Sequence, residues 1–447
     1  MAAARGEFSS RIGFVLAASG SAVGLGNIWG FPTQAASNGG GAFLVVYLIL
    51  TFLLAYPTLM AEFLIGRYAK ANAVPALRKV TGSLAPLGAL TGYAGILTAC
   101  LLLSFYAVIA GFMIVFFVAT LLEAIGQNDL SEYLTARGTG VQVAFTAVFM
   151  LMTIAVICGG IKGGIERWST RLMPSLFVLM FVLIAWVLTL DGATEGLSRY
   201  LVPDFAASLN PDLLLSAMGQ SFFSLSIGVG TMLIYGSYCS KKANLVRLGM
   251  AVTVIDVGVA FLAGLLILPA MYVAATNGVQ IFDESDALVS GPGMIFSVLP
   301  ALFDTLGTAG LAVGGLFFLL MTIAALTSSI SLLEVPVAYA VEEHGSRRVP
   351  ATLAIGAAIF LASLALIIGG EWLFDLAVAV ATEYSQPVLA LLLCVFAGWV
   401  WRRDQILGEL REGNPEIENS LFWKIWPLYV KFICPVGILT VFYNSLT

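Results

Sequence analysis

Long apolar stretches dominate this chain, and its charged residues gather between them. A helix needs about 20 mostly apolar residues to cross a bilayer. Eleven runs approach or exceed that length, near residues 12–37, 41–66, 88–124, 141–160, 172–190, 213–239, 246–275, 309–341, 350–369, 372–401 and 421–446. The pattern predicts an all-α membrane protein with eleven transmembrane helices.

The composition of the 447 residues supports this class and excludes others. Hydrophobic residues make up 60% and charged residues 11%, against about 25% charged in soluble domains. The lipid bilayer is therefore an expected partner. With a net charge of −5 and only short basic clusters, no nucleic-acid partner is predicted. An intramembrane enzyme is a remote alternative, because the chain lacks His, Asp and Cys clusters.

The positions of the cations predict the orientation in the membrane. Placing the N-terminus in the cytoplasm puts eighteen of the 21 Lys and Arg residues on that side. Only Arg137 and Arg199 fall outside, and Lys431 lies within the last span. This asymmetry follows the positive-inside rule. We expect a multi-pass protein of the cell (inner) membrane with a cytoplasmic N-terminus and an external C-terminus.

Two of the spans carry residues that weaken a helix at the middle of the membrane. Gly20, Gly24 and Gly26 precede Asn27 in the first span, and Gly228 and Gly230 interrupt the sixth. Both spans are expected to unwind there and to expose backbone groups for ligands, a pattern typical of transporters with inverted repeats. Glycines that only permit close helix packing are the alternative.

The spacing of the two interruptions predicts the organisation of the chain. They lie five spans apart, so the second set of five helices would be inverted relative to the first. Residues 1–190 would form the first repeat, with spans 1–5, and residues 213–403 the second, with spans 6–10. An extracellular lid loop would cover 276–308, and residues 404–447 would supply a cytoplasmic loop and span 11.

Several short motifs, in this order and spacing, resemble the neurotransmitter:sodium symporter family, above all its bacterial eleven-span amino-acid transporters. These motifs are Gly20–Pro32, Asn38–Phe43, Glu62–Arg67, Ser104–Tyr106, Gly219–Ser224, Tyr235–Tyr238 and Leu326–Ser329. The resemblance covers nearly the whole chain. It implies sodium-coupled symport of a neutral, hydrophobic or aromatic amino acid by alternating access.

The resemblance also implies two sodium ions, each held by oxygen atoms. Sodium 1 would be bound by Ala22, Asn27, Ser224 and Asp256, together with the substrate carboxylate. Sodium 2 would be bound by Gly20, Val23, Ala324, Thr327 and Ser328. Because the substrate carboxylate would itself be a ligand of the first ion, substrate and ion would each lower the cost of burying the other.

The implied substrate site lies between the two breaks. Leu25, Gly26 and Tyr106 would hold the carboxylate of an amino acid, and carbonyls near Phe223, Ser224 and Ser226 its ammonium group. Other residues expected at the site are Ala22, Gly24, Leu102, Val229, Ser328 and Leu332. Monoamine carriers of the family have an aspartate at the position of Gly24. Because this chain lacks the aspartate, a substrate that carries its own carboxylate is favoured.

Asp256 suggests that transport is independent of chloride. Chloride-dependent family members use that anion to supply negative charge near sodium 1. Ala260 stands where a chloride-independent relative carries a glutamate, and Asp256 would supply the charge instead. A protonated carboxyl group hydrogen-bonded within the bundle is the alternative interpretation.

The expected gates match the family only in part. At the inner end, Arg5 would pair with Glu342, supported by Tyr238. At the outer end, Gly30 and Val378 stand where relatives carry an ion pair, so Phe223 packing over Tyr106 would close the path. Glu62 is expected to hydrogen-bond to the broken first helix.

Glu383 lies inside a predicted span and has no counterpart in the family pattern. A substitute gate, a proton acceptor and a helix-packing contact are the alternatives for its role. If Glu383 or Asp256 carried a proton, the chain would be a proton-coupled amino-acid carrier of the same fold. An amino-acid sensor that binds without transporting is a further alternative.

Overall fold

A computed structural model describes residues 6–136, 138–205, 210–282 and 294–444. These residues fold almost entirely into helices, which we number along the chain. The first eight are α1 Arg11–Ala22, α2 Gly26–Ser37, α3 Gly41–Ala69, α4 Ala73–Ala124, α5 Asn128–Thr135, α6 Thr139–Cys158, α7 Ile161–Val187 and α8 Ala193–Leu201. The others are α9 Pro211–Ser224, α10 Thr231–Tyr238, α11 Leu245–Thr276, α12 Met294–Thr305, α13 Gly307–Glu343, α14 Arg348–Val400, α15 Arg403–Gly413 and α16 Leu421–Asn444.

Eight helices of the described residues are long and apolar enough to cross a membrane, or nine when α1 and α2 count as one bent span. The predicted sixth span is divided into α9 and α10, each too short to cross alone. The predicted ninth and tenth spans both lie in α14, where two helical segments meet at a kink at Gly370, whose φ of 71° and ψ of −168° are not helical. The all-helical class is confirmed, while the number of eleven crossings stays a prediction.

The first interruption lies between α1 and α2, whose axes differ by 56°. Helix α1 ends at Ala22, and Val23 is extended, with φ −67° and ψ 114°. A helix end leaves several carbonyl groups without partners inside the helix. The bend therefore places bare peptide groups within the packed bundle, since Ala22 and Val23 are both buried.

The second interruption covers residues 225–230 between α9 and α10. Ser226, Gly228 and Gly230 have positive φ angles of 52°, 90° and 85°. Glycine adopts this left-handed conformation without the steric cost that a Cβ imposes. The two glycines thus explain how the chain leaves α9 and enters α10 in only six residues.

Helix α10 is the most enclosed element of the fold, because all eight of its residues are buried. It packs closely on α3 through a glycine on each side. A Cβ at Gly236 would lie 2.6 Å from the Phe63 carbonyl oxygen, and one at Gly66 would overlap the Leu233 carbonyl. The backbones of α3 and α10 therefore approach each other more closely than any residue other than glycine would permit at these two positions.

The outer helices, unlike α10, expose many of their apolar side chains. Large apolar side chains of α14 and α16 are exposed, among them Leu361, Ile368, Trp372 and Val436. Water would make such a surface unfavourable, whereas lipid tails are as apolar as the side chains themselves. The broken helices thus lie at the centre, surrounded by helices suited to face lipid.

We predict that Gly66→Ala lowers the melting temperature of the purified protein. The added methyl group must displace the backbone of α10, and overpacking of this kind costs about 1–3 kcal/mol. Gly258→Ala in α11 is the matched control, because a Cβ there would meet no atom within 4 Å. Equal melting temperatures for the two variants would contradict the proposed close contact.

Candidate functional site at the two helix breaks

The two breaks meet each other and α13 around the carbonyl oxygen of Ser21. Ser226 Oγ, from the second break, and Ser328 Oγ, from α13, each donate to that oxygen over 3.3 Å. Ser328 Oγ is also placed to donate to Val23 O at 2.9 Å. Hydroxyl groups from two other elements thus satisfy carbonyls that the end of α1 leaves bare.

Asn27, Ser224 and Asp256 form one buried hydrogen-bond network. Asn27 Nδ2 donates to Asp256 Oδ1 at 2.7 Å and to Ser224 Oγ at 2.8 Å. Ser224 Oγ donates to Asp256 Oδ2 at 2.8 Å. The three side chains are at most 1% exposed. The network connects α2, the end of α9 and α11, so it ties both broken spans to an unbroken helix.

The Asp256 carboxylate is fully buried and is hydrogen-bonded by neutral donors alone. No salt bridge joins it to Lys, Arg or His within the described parts of the chain. Burying an ionised carboxylate without a compensating charge is costly. A cation bound beside Asp256 would offset that cost. Ser224 Oγ faces the carboxylate, whereas Asn27 turns its Nδ2 toward it and accepts the Gly24 N–H at its Oδ1 over 3.2 Å.

A second group of oxygen atoms lies where α13 passes the end of α1. Thr327 Oγ1 donates to Ala324 O at 2.9 Å, and Ser328 Oγ reaches Val23 O. A Cβ at Gly20 would lie 3.3 Å from the Cβ of Thr327. The structure therefore brings together all five residues that the sequence resemblance assigns to sodium 2.

The predicted carboxylate-binding residues also lie together. The Leu25 N–H donates to the Tyr106 hydroxyl at 3.3 Å. A Cβ at Gly24 would lie 2.9 Å from that hydroxyl and closer still to Ser328 Oγ. A side chain larger than hydrogen at position 24 would therefore occupy the space between Tyr106 and Ser328.

The remaining predicted wall residues are mostly buried. Ala22, Leu102, Val229 and Leu332 are each at most 7% exposed, whereas Phe223 is 40% exposed. The Phe223 ring covers Gly26, where a Cβ would lie 2.8 Å from ring atom Cε1. Phe223 thus separates the break in the first span from the space beyond it.

That space is a cavity of about 340 Å³ between α9, α14 and α16, lined by Phe223, Gln220, Gln386 and Glu383 among others. Glu383 is exposed in it and makes no hydrogen bond or ion pair with any described residue. Gln220 Nε2 donates to Gly26 O at 2.8 Å, and its amide is the nearest group to the space beside Gly30. An amide, rather than an ion pair, therefore lies next to Gly30.

The prediction that Glu62 hydrogen-bonds to the broken first span is wrong. Glu62 Oε1 accepts a hydrogen bond of 2.6 Å from the Gly228 N–H, in the second break and not in the first. Its other oxygen, Oε2, is buried without a hydrogen-bond partner among the described residues. Glu62 therefore stabilises the unwound segment of the sixth span by satisfying one of its bare N–H groups.

The far end of α10 carries polar contacts that the sequence did not assign. The Tyr238 hydroxyl donates to Glu334 Oε1 at 2.7 Å, and Arg348 forms a salt bridge with the fully buried Glu334. Phe8 packs edge-on against Tyr235 and Tyr238. Together these groups close this end of the bundle around α10.

Of the predicted inner pair, Arg5 and Glu342, only Glu342 lies among the described residues. Glu342 accepts hydrogen bonds from the backbone N–H of Asn72 at 2.8 Å and from its Nδ2 at 3.1 Å. Arg5 lies outside the described residues, as does part of the predicted lid loop 276–308. The Arg5–Glu342 pair therefore stays a prediction.

Sequence reasoning missed two participants in these networks. Tyr47 is fully buried, and its hydroxyl donates to Ser224 Oγ at 3.1 Å. A tyrosine in an apolar run gives no distinctive signal. Glu334 could have been found, because a carboxylate within a membrane span is a candidate functional group by default.

Comparison with known proteins gives consistent matches over almost the full length. The chain matches the sodium:neurotransmitter symporter family over residues 5–135 and 128–447. It is 35% identical to an uncharacterized sodium-dependent transporter, YhdH, of Bacillus subtilis, covering 98% of this chain and 97% of that protein. It is 26% identical to the sodium-dependent serotonin transporter of Drosophila melanogaster, covering 99% of this chain and 76% of that protein.

A solved structure gives the same result for the fold. The crystal structure of MhsT in complex with L-phenylalanine superposes with a TM-score of 0.83 at 37% sequence identity. The match covers 99% of this chain and 100% of the MhsT chain.

We predict that Arg348→Gln strongly destabilises the protein, since it leaves Glu334 buried without its cation, which costs about 3–5 kcal/mol. The double variant Glu334→Gln/Arg348→Gln should recover part of the loss. Arg402→Gln, which breaks the exposed Arg402–Asp404 pair, is the control and should change little. Thermal unfolding of the purified variants measures all three. A double variant less stable than Arg348→Gln would contradict the assignment.

Proposed function

The chain belongs to the sodium:neurotransmitter symporter family, and we propose that it takes up a neutral, hydrophobic or aromatic amino acid by sodium-driven alternating access. The family fixes the coarser function: the chain is a sodium-dependent membrane transporter and not an enzyme. The substrate, the ion sites and the chloride independence are the proposed parts.

One observation carries the proposal: Asp256 is a fully buried carboxylate with neutral hydrogen-bond donors around it. We propose that sodium 1 binds beside it, with Ala22, Asn27 and Ser224 as further ligands. The end of a helix directs carbonyl oxygens at a cation, and Ala22 is the last residue of α1. The ion would thus receive one formal charge and several partial charges.

Sodium 2 is proposed at the contact of α1 with α13. Its ligands would be the carbonyls of Gly20, Val23 and Ala324 and the hydroxyls of Thr327 and Ser328. Two of these carbonyls already accept hydrogen bonds from the two hydroxyls. An ion among them would leave the oxygens in place and exchange hydrogen bonds for coordination.

The proposed substrate occupies the space between the breaks. Its carboxylate would take the N–H groups of Leu25 and Gly26 and the hydroxyl of Tyr106, which already lies 3.3 Å from the Leu25 nitrogen. Its ammonium would take carbonyls near Phe223, Ser224 and Ser226. The bound L-phenylalanine of MhsT supports an amino acid with a large apolar side chain, next to Leu102, Val229, Ser328 and Leu332.

Alternating access would move the closure from one end of the site to the other. Phe223, over Tyr106, would close the outer path, and the Glu342 end, with Arg5 and Tyr238, the inner path. We propose two inverted repeats, 1–190 and 213–403, as the moving units. The N-terminus would be cytoplasmic, in the inner membrane, as the distribution of Lys and Arg predicts.

The central experiment measures uptake of radiolabelled L-phenylalanine into proteoliposomes. An inward sodium gradient should drive accumulation, and replacing sodium by potassium on both sides should abolish it. A pH gradient alone should give no uptake. Accumulation that follows the pH gradient without sodium would favour the proton-coupled carrier. Sodium-dependent binding without any flux would indicate a sensor.

We predict that Asp256→Asn raises the sodium concentration for half-maximal uptake at least about tenfold, since each 1.4 kcal/mol of lost interaction is a factor of ten. The amide keeps the shape of the carboxylate and removes its charge. Asp212→Asn, on the exposed first turn of α9, is the control and should leave that concentration unchanged. An unchanged sodium dependence in Asp256→Asn would refute the assignment of sodium 1.

Chloride should not be needed for transport, because Asp256 supplies the negative charge beside the first ion. Uptake measured with gluconate replacing chloride on both sides should therefore match uptake in chloride. Loss of uptake in gluconate would contradict this prediction and leave the sodium-coupled function itself intact.

A further inference from the structure

A basic and aromatic cleft of about 530 Å³ lies between the end of α14 and the beginning of α16. Four cations line it, Arg402, Arg403, Lys424 and Lys431, and none of the described lining residues is acidic. We call this feature the α14–α16 cleft. It lies away from the helix breaks, and neither the ion sites nor the gates use it.

Close packing of the two helices shapes the cleft. A Cβ at Gly398 would lie only 2.8 Å from the Cα of Lys431, so glycine is needed at this crossing. Beside it, Trp399 Nε1 donates to the Lys431 carbonyl at 2.9 Å. The position of Lys431 is therefore fixed by the backbone and does not depend on a flexible loop.

The cations of the cleft are positioned by aromatic rings. Lys431 Nζ lies 4.3 Å from the centre of the Trp399 ring, and the Arg403 guanidinium lies 5.0 Å from that of Trp423. Within the described chain, neither cation has a carboxylate partner, whereas Arg402 pairs with Asp404. Lys424 also lacks a carboxylate partner there. Three positive charges thus line one cleft, with no carboxylate partner among the described residues.

The surroundings of these charges are apolar and face outward. Trp399 is 57% exposed, Leu428 58% and Phe432 47%, all at the edge of the cleft. Lys431 lies ten residues into α16, about 15 Å along a helix that rises about 1.5 Å per residue. An anion here would contact both cations and hydrocarbon, a combination that a soluble ion does not need.

We propose that the α14–α16 cleft binds the headgroup of an anionic phospholipid. Arg403, Lys424 and Lys431 would contact the phosphate, and the acyl chains would lie along the exposed Trp399, Leu428 and Phe432. Basic pockets between membrane helices and tryptophans at the membrane interface are suited to such lipids. The bound lipid supplies the negative charge that the cleft lacks and stabilises the packing of α16 on α14.

The test measures lipid binding to the purified full-length protein by native mass spectrometry, with phosphatidylglycerol and phosphatidylcholine titrated separately. Phosphatidylglycerol should bind more tightly and raise the melting temperature more than phosphatidylcholine. Arg403→Gln/Lys431→Gln should weaken phosphatidylglycerol binding roughly thirtyfold, since each cation contributes about 1 kcal/mol and 1.4 kcal/mol is tenfold.

Two control variants separate charge from folding. Lys162→Gln/Arg171→Gln removes the same charge from exposed positions of α7 that lie outside the cleft and should bind phosphatidylglycerol like the unmodified protein. Arg403→Lys/Lys431→Arg keeps the charge and should retain most of the binding. Equal losses in the α7 control, or equal binding of the two lipids, would overturn the proposal.

A soluble phosphodiester distinguishes a lipid site from a general phosphate site. Glycerophosphoglycerol carries the same headgroup without acyl chains and should neither raise the melting temperature nor displace phosphatidylglycerol at millimolar concentration. If glycerophosphoglycerol raised the melting temperature as much as the lipid does, the cleft would be a site for soluble phosphate and the assignment to a lipid would be overturned.

Discussion

The structure depends on one constraint: peptide groups released by breaking a helix inside a bundle must find partners there. The first break directs its carbonyls at hydroxyls of Ser226 and Ser328. The second break presents an N–H to Glu62. Carbonyl and N–H groups are also strong ligands, so the groups that the broken helices expose are the ones available to bind an ion or an amino acid.

Asp256 adds a buried carboxyl group to this arrangement. It lies on the unbroken α11, yet its two oxygens accept hydrogen bonds from Asn27 of the first broken span and Ser224 of the second. One carboxylate therefore connects the two broken spans and fixes their positions relative to each other. A cation held by oxygens of the same three residues would link the same helices, so its binding would depend on the relative positions of the broken helices.

The two ends of the site differ in how they are closed. At the α10 end, Phe8 packs with Tyr235 and Tyr238, and Glu334 pairs with Arg348. At the α9 end, the Phe223 ring and the Gln220 amide lie between Gly26 and an open cavity. The structure thus combines an end closed by several contacting groups with an end that opens onto a cavity.

The sequence by itself determined the helical membrane class and the residues at both breaks, because apolar run length and glycine placement are local properties. Tertiary structure decided which groups meet across long separations. It placed Tyr47 on Ser224, Glu62 on Gly228 rather than on the first span, and Glu334 on Arg348. A hydrogen bond requires atoms within about 3 Å, and helix packing, which no local pattern encodes, sets that distance.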